Sequence, residues 1–256
     1  MIQYKKKIKV VSYNKTRKKR GSHKKRGTEK KGGKVLGRGT TAKVIYPAIP
    51  CRGKNTTNYV SKVFFSKNNT VEKKDLETII SRLKSIDPEQ KYFIYPEFCD
   101  EFGELLENNR ENGITNNSKQ YSYLMKKGGK PFMRYNNNIH DLINGYNELN
   151  KNNENNTREK KEIIDNLVDI LKPVINLIYK LHDAGIVHTD LGVGNIIYMT
   201  DGTPRLIDFD FAEIIDTKPK SYQDKLKMDD IKVFLEGAIG SDNSPKLYEI
   251  FEKQFI

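Results

Sequence analysis

The sequence is short of most of what would build a metal centre, a disulfide scaffold or a membrane anchor. Two cysteines, Cys51 and Cys99, occur in 256 residues, in unrelated contexts and without CxxC spacing. They are expected to be reduced intracellular thiols, neither a disulfide nor a zinc site. The four histidines, His23, His140, His182 and His188, form no ligand cluster along the chain. Mean hydropathy is −0.73, and no stretch approaches the roughly 18 consecutive apolar residues of a membrane span. The start, MIQYKKKIKVVSYNKTRKKR, is basic but is followed by no apolar run, which argues against a secretory signal. The expectation is an intracellular protein with no transmembrane segment and no internal repeat.

Acidic residues are nearly missing from one region. Residues 1–34 carry 15 of the 46 Lys and Arg against one acid, Glu29, so the remaining 31 bases are balanced by 32 acids. The net charge of +13 therefore belongs to this arm. Such a block repels itself and buries little, so residues 1–32 are read as a disordered basic arm. Its charge suits acidic protein, nucleic acid, an anionic membrane surface or a nuclear-import receptor, and equally a solubilising tail. With Tyr4 and Tyr13 as its only aromatics and no recognisable reading module, a dedicated nucleic-acid binder is disfavoured.

What is present beyond the arm begins with short alternating runs, VLGRGTTAKVIYPAIPC and NYVSKVFF, separated by the turn GKNTTN. Residues 71–84 place apolar side chains at 76, 79, 80 and 83, one helical face. KYFIYPEF (91–98) and YSYLMK (121–126) read as further strands. The asparagine-rich stretch 136–157 reads as a largely disordered or loop insertion around a short helix at 139–148. Residues 160–183 are strongly amphipathic, with Pro173 a candidate kink. IIYM and RLIDF then form two short strands about the turn DGTP, and 223–255 reads as one or two helices.

Phosphoryl transfer from ATP needs a cradle for phosphates, metal ligands and a residue that orients the acceptor hydroxyl. Leu36-Gly37-Arg38-Gly39-Thr40-Thr41-Ala42-Lys43-Val44 fits G-x-G-x-x-G-x-V except that Ala42 replaces the third glycine. Glycines let backbone N–H groups approach phosphates without a Cβ in the way. Lys62, on a strand with Val60 and Phe64 as neighbours, needs an anionic partner; Glu77 on the following helix is the candidate, with Glu72 the fallback. HTDLGVGN (188–195) and LIDFDF, with Asp208, complete the series.

In this order the motifs resemble a eukaryotic-type protein kinase over about residues 33–232. The resemblance implies an α+β, bilobal kinase-like fold: a β-rich N-lobe with one helix at 33–127 and a mostly helical, truncated C-lobe at 128–256. By the same resemblance Asp190 accepts or orients the acceptor's proton, Asn195 and Asp208 hold Mg2+, and the glycine loop, Lys62 and Glu77 serve ATP. Met125, Lys126 and Lys127 fall where a hinge would offer backbone groups to adenine. Asp230, with Asp229 as alternative, matches the aspartate that buttresses the catalytic loop from a helix. The run GGKVLGRGTTAKVIYPAIPC is also similar to serine/threonine kinases of large nucleocytoplasmic DNA viruses, which implies the host cytoplasm or the virion.

Departures from the family pattern bear on regulation and acceptor. Thr189 replaces the arginine that docks a phosphorylated loop, so activity is expected not to need that modification. Gly192 removes a lysine on the acceptor side, and Asp210 stands in place of a glycine, read here as a local turn or cap or as a further carboxylate near the metal. The segment after Asp208 is short and no A-P-E follows. The function expected is a serine/threonine protein kinase, the alternatives a small-molecule kinase of the aminoglycoside or choline type and a nucleotide-binding pseudokinase scaffold.

Overall fold

The computed structural model describes residues 34–39, 42–64, 73–99, 101–102, 122–151 and 156–256; the basic arm, Thr40, Thr41 and Glu72 lie outside them. The alternating runs become β1 (Lys34–Arg38), β2 (Ala42–Tyr46) and β3 (Tyr59–Phe64), followed by α1 (Lys73–Ile86), β4 (Phe93–Ile94) and β5 (Ser122–Lys126). Strands β1, β2, β3 and β5 form one antiparallel sheet in that order. Its register sets Val44 opposite Lys62 and Lys62 opposite Tyr123, so these side chains share one face. Helix α1 buries Leu76, Ile79, Ile80 and Leu83, the face its spacing predicts.

Further along come β6 (Lys130–Pro131), α2 (Phe132–Tyr135), α3 (Ile139–Lys151), α4 (Thr157–Asp183), β7 (Ile186–Val187), β8 (Ile196–Tyr198), β9 (Pro204–Ile207), β10 (Glu213–Ile214), α5 (Lys220–Ile239) and α6 (Pro245–Phe255). The architecture is mixed α+β. A second sheet has the order β4-β9-β8-β6, and β4 joins it parallel to β9. That strand comes from the first half of the chain and pairs within the second. The turn into β6 requires glycine at 129, where a Cβ would sit 1.7 Å from the Tyr198 carbonyl oxygen.

The short helix expected at 139–148 is present as α3, and it is longer than expected, so the asparagine-rich stretch is less of a loop than the sequence suggests. Ile139, Ile143, Tyr146 and Leu149 recur at helical spacing and are buried, so α3 covers most of 136–157 and the asparagines fall around that stripe. Asn156 then caps α4, its side-chain oxygen accepting from the Glu159 N–H at 3.3 Å. Helix α4 runs uninterrupted through Pro173, whose ring lies on the exposed side.

One principal core joins Val60, Phe64 and Leu83 to Leu171, Phe209, Phe234 and Phe251, so buried contacts run across the expected division at 127/128. All described residues belong to a single compact unit, Lys31–Ile256. Phe93 meets Phe209 edge-to-face at 6.1 Å between ring centroids, which fixes the turn just after Asp208. Among the described residues no helix is long and apolar enough to cross a membrane.

The cysteines also differ from expectation: Cys51 and Cys99 form a disulfide across 48 residues. The fold brings the β2–β3 connection against the segment after β4, where the Arg52 N–H donates to the Glu101 carbonyl at 2.9 Å and Cys51 bridges to Phe102. Nothing in the spacing of two isolated cysteines announces that meeting. A cross-link closing a loop of this size restricts the unfolded chain by up to about 4 kcal/mol. Reduction, or Cys99→Ser, is therefore expected to lower the melting temperature by several degrees, measured by thermal denaturation with and without dithiothreitol. An unchanged melt would show that the bond constrains nothing.

Candidate functional site

The site gathers at the face of β2, β3 and β5 that carries Val44, Lys62 and Tyr123. Beside it the β1–β2 hairpin sets Gly37 opposite Val44 and Arg38 opposite Lys43. The Gly39 N–H donates to the Ala42 carbonyl at 2.9 Å, closing the tip. Among the described residues a Cβ on Gly37 would meet nothing within 4 Å and one on Gly39 the Ala42 carbonyl oxygen at 3.8 Å, so neither glycine Cα is closely packed. Leu36 is exposed and Ala42 is buried.

Lys62 is 7% exposed, a depth at which an ammonium needs counter-ions. Its Nζ donates to Asp208 Oδ1 and, at 2.7 Å, to Asp210 Oδ2. The Tyr123 hydroxyl donates to the other Asp210 oxygen. Burial alone would lower the Lys62 pKa, but the Asp210 and Asp208 carboxylates outweigh it and hold the lysine above its usual value. Burial, with the Asp208 charge beside it, pushes Asp210 up despite Lys62. Burial, then the two aspartates, raises the Tyr123 phenol well above its normal range.

Two loops bring the other candidates in. In the 188–195 loop the Asn195 amide donates to the Asp190 carbonyl at 2.7 Å and to Asp190 Oδ2 at 3.2 Å. The loop is braced from below by Asp230 on α5, which is 2% exposed. Asp230 accepts from the N–H groups of His188 and Thr189, both at 2.8 Å, and from His182 Nε2 at 3.0 Å. This selects Asp230 over Asp229 as the supporting aspartate.

The two loops are also tied to each other. His188 Nε2 donates to the Ile207 carbonyl at 2.9 Å, and Thr189 Oγ1 to the Phe211 carbonyl at 2.6 Å. Both Thr189 and Asp208 hold left-handed backbone, at φ 61° and 70°. For a β-branched threonine that conformation is costly, and its bonds to Asp230 and Phe211 hold it there. Thr189, which stands where the resemblance expects an arginine, thus links the two loops directly.

The structure brings Lys62 to Asp208 and Asn195 to Asp190, while other expectations change. The lysine's carboxylate partners are Asp208 and Asp210, and Glu77 instead lies exposed on α1. There it lines a cleft of about 420 Å³ with Lys54, Ile80, Lys84, Glu97 and Phe98. In that cleft burial would raise the Glu97 carboxyl, but its bonds to Lys54 and Tyr59 hold it low, while burial and Glu97 push Tyr59 to about 12. Of the residues expected at a hinge, Met125 is buried, Lys126 pairs with Tyr59, and the Lys127 N–H is already donated to the Asn58 carbonyl at 2.7 Å. That amide is not available to a base.

Tyr123 and the ion-pairing role of Asp210 escaped sequence reasoning. A lone tyrosine in a strand is common, and only the β3–β5 register places it opposite Lys62. The donor chemistry fits a magnesium nucleotide: Asn195 and Asp208 offer hard oxygen ligands, and Lys62 a cation for phosphate. Among the described residues no group of three or more His, Cys, Asp or Glu is arranged to hold a metal ion. Magnesium bound chiefly through phosphate and water oxygens needs no such cage. No family model matches this chain, and no curated protein matches it at a significant level.

Proposed function

We propose that this protein is an ATP-dependent phosphotransferase of bilobal kinase-like fold, acting on serine or threonine hydroxyls of protein. The observation that carries the reading is the Lys62–Asp208 ion pair, made between residues 146 apart in sequence. It sits beside the Asp190–Asn195 pair through the two inter-loop bonds. A solvated surface lysine and a scattered set of acidic loop residues would have no reason to converge in this way.

Mg·ATP supplies the transferable phosphoryl group and the cation that offsets its charge. Asn195 and Asp208 would hold the metal, Lys62 the phosphates, and the backbone of the β1–β2 hairpin their outer side. Asp190 takes the acceptor's proton as the hydroxyl oxygen bonds to the γ-phosphorus and the bond to the ADP oxygen breaks. Asn195 keeps the Asp190 carboxylate turned toward that proton. Thr189 holds the loops together without a phosphate, so activity requires no prior phosphorylation. The basic arm recruits acidic partners.

A small-molecule acceptor is the second reading, favoured by the brevity of residues 212–219 between the Phe209–Phe211 turn and α5. The test is incubation with γ-labelled ATP and Mg2+, alone and with acidic proteins, basic proteins and a pool of small alcohols. Label on protein serine or threonine, lost on chelation with EDTA, is expected. Label confined to the small-molecule pool would move the assignment to the second reading. Nucleotide-dependent thermal stabilisation without transfer would make the protein a scaffold.

A further inference from the structure

Lys62 is held by two carboxylates that differ in setting. The Asp208 side chain is 30% exposed and faces the open side, whereas that of Asp210 is 4% exposed. Both Asp210 oxygens are committed, Oδ2 to Lys62 at 2.7 Å and Oδ1 to the Tyr123 hydroxyl. Tyr123 itself is buried opposite Lys62 on the neighbouring strand. A phenol donor on one oxygen leaves the other pointing at the ammonium, so the tyrosine fixes the carboxylate's orientation and the carboxylate fixes the lysine.

The two aspartates are therefore not equivalent. A ligand drawing Asp208 away would remove one counter-ion from a lysine too deep to stand unpaired. Asp210 cannot be drawn away in the same manner, because it is enclosed and clamped. Glu77 lies exposed on α1 and lines a different cleft.

We propose that Asp210, clamped by Tyr123, is the positioning residue that holds Lys62 toward nucleotide phosphates, so that this lysine is set from β5 and the turn after Asp208 rather than from α1. The inference rests on reading the site as a phosphate-binding one. It assigns a task to a residue that the sequence pattern marks only as a departure. It also makes the lysine's placement insensitive to movement of α1.

The test is equilibrium binding of ATP and of adenosine in EDTA, which removes any metal-mediated role of Asp208, to the full chain and its variants. Asp210→Asn and Asp210→Gly are expected to raise the ATP Kd at least tenfold with the adenosine Kd within twofold, and Tyr123→Phe to raise the ATP Kd about threefold. The ATP loss from Asp210→Asn should exceed that from Glu77→Gln at least fivefold. Equal losses for ATP and adenosine would make Asp210 a merely structural residue and overturn the proposal. So would Asp210 variants that bind ATP as the wild type does, or a Glu77→Gln loss as large as that of Asp210→Asn. Wild-type protein that binds ATP only with Mg2+ present would overturn the proposal, and one that binds ATP neither in EDTA nor with Mg2+ would instead overturn the phosphate-site reading beneath it.

Discussion

Asp190→Ala is expected to lower phosphate transfer by about 10²- to 10⁴-fold, the usual contribution of a positioned proton acceptor. Its melting temperature should stay within about a degree of wild type, since exposed side chains contribute little to stability. The Asp190 side chain is exposed, and the bonds that shape its loop use backbone groups that alanine retains. The Asp190 carbonyl accepts from Asn195 Nδ2 at 2.7 Å and from the Gly192 N–H at 3.0 Å, and Asp230 braces the preceding residues. Only the 3.2 Å contact between Asn195 and Oδ2 is lost. Nucleotide affinity should change little, because Lys62, Asp208 and the hairpin are untouched. Initial rates with labelled ATP, alongside thermal melts, check the result. Transfer persisting near the wild-type rate would remove Asp190 from the chemistry.

Asp230→Ala should do the reverse and damage the fold first. This carboxylate is 2% exposed and accepts bonds from His188, Thr189 and His182, so its loss leaves two amide N–H groups and an imidazole N–H without their acceptor. Breaking one partner of such a buried network costs about 3–5 kcal/mol. For a chain of this size that is a fall of roughly 10 °C in melting temperature. Thr189, held in left-handed backbone partly by this aspartate, would relax and carry Asp190 with it, so activity should fall even where the variant remains folded. Asp230→Asn presents a carbonyl oxygen and an amide nitrogen to three donors and should recover only part of the loss. Asp229→Asn, which alters none of these bonds, is the control and should melt within about 0.5 kcal/mol of wild type. Calorimetry across the three variants decides it; equal melts for Asp230→Ala and Asp229→Asn would deny the brace.

Reading order along the chain reached some of this site and missed the rest for identifiable reasons. Asp190 with Asn195 lies within one eight-residue loop, so its geometry is local and its spacing visible. The Asp230 brace was legible as a choice between two neighbours, and burial made the choice. The partner of Lys62 was not legible. A lysine on β3 can be reached by α1, by β5 or by the turn after Asp208, and sequence order favours the nearest carboxylate, Glu77. The fold turns Glu77 outward and brings Asp210 and Tyr123 in from 148 and 61 residues away.

By itself the sequence determined what periodicity and local chemistry control. These are the presence of strands at β1, β2, β3 and β5, the buried face of α1, the long amphipathic α4, and the two short strands β8 and β9 about DGTP. Each is set by side chains a few residues apart, whose alternation or helical spacing decides which face sheds water. Tertiary structure alone decided the parallel seat of β4 against β9 and the meeting of Cys51 with Cys99. It also decided which acid neutralises Lys62. Those outcomes depend on which distant surfaces the core brings together, and a buried charge takes whichever partner that packing delivers.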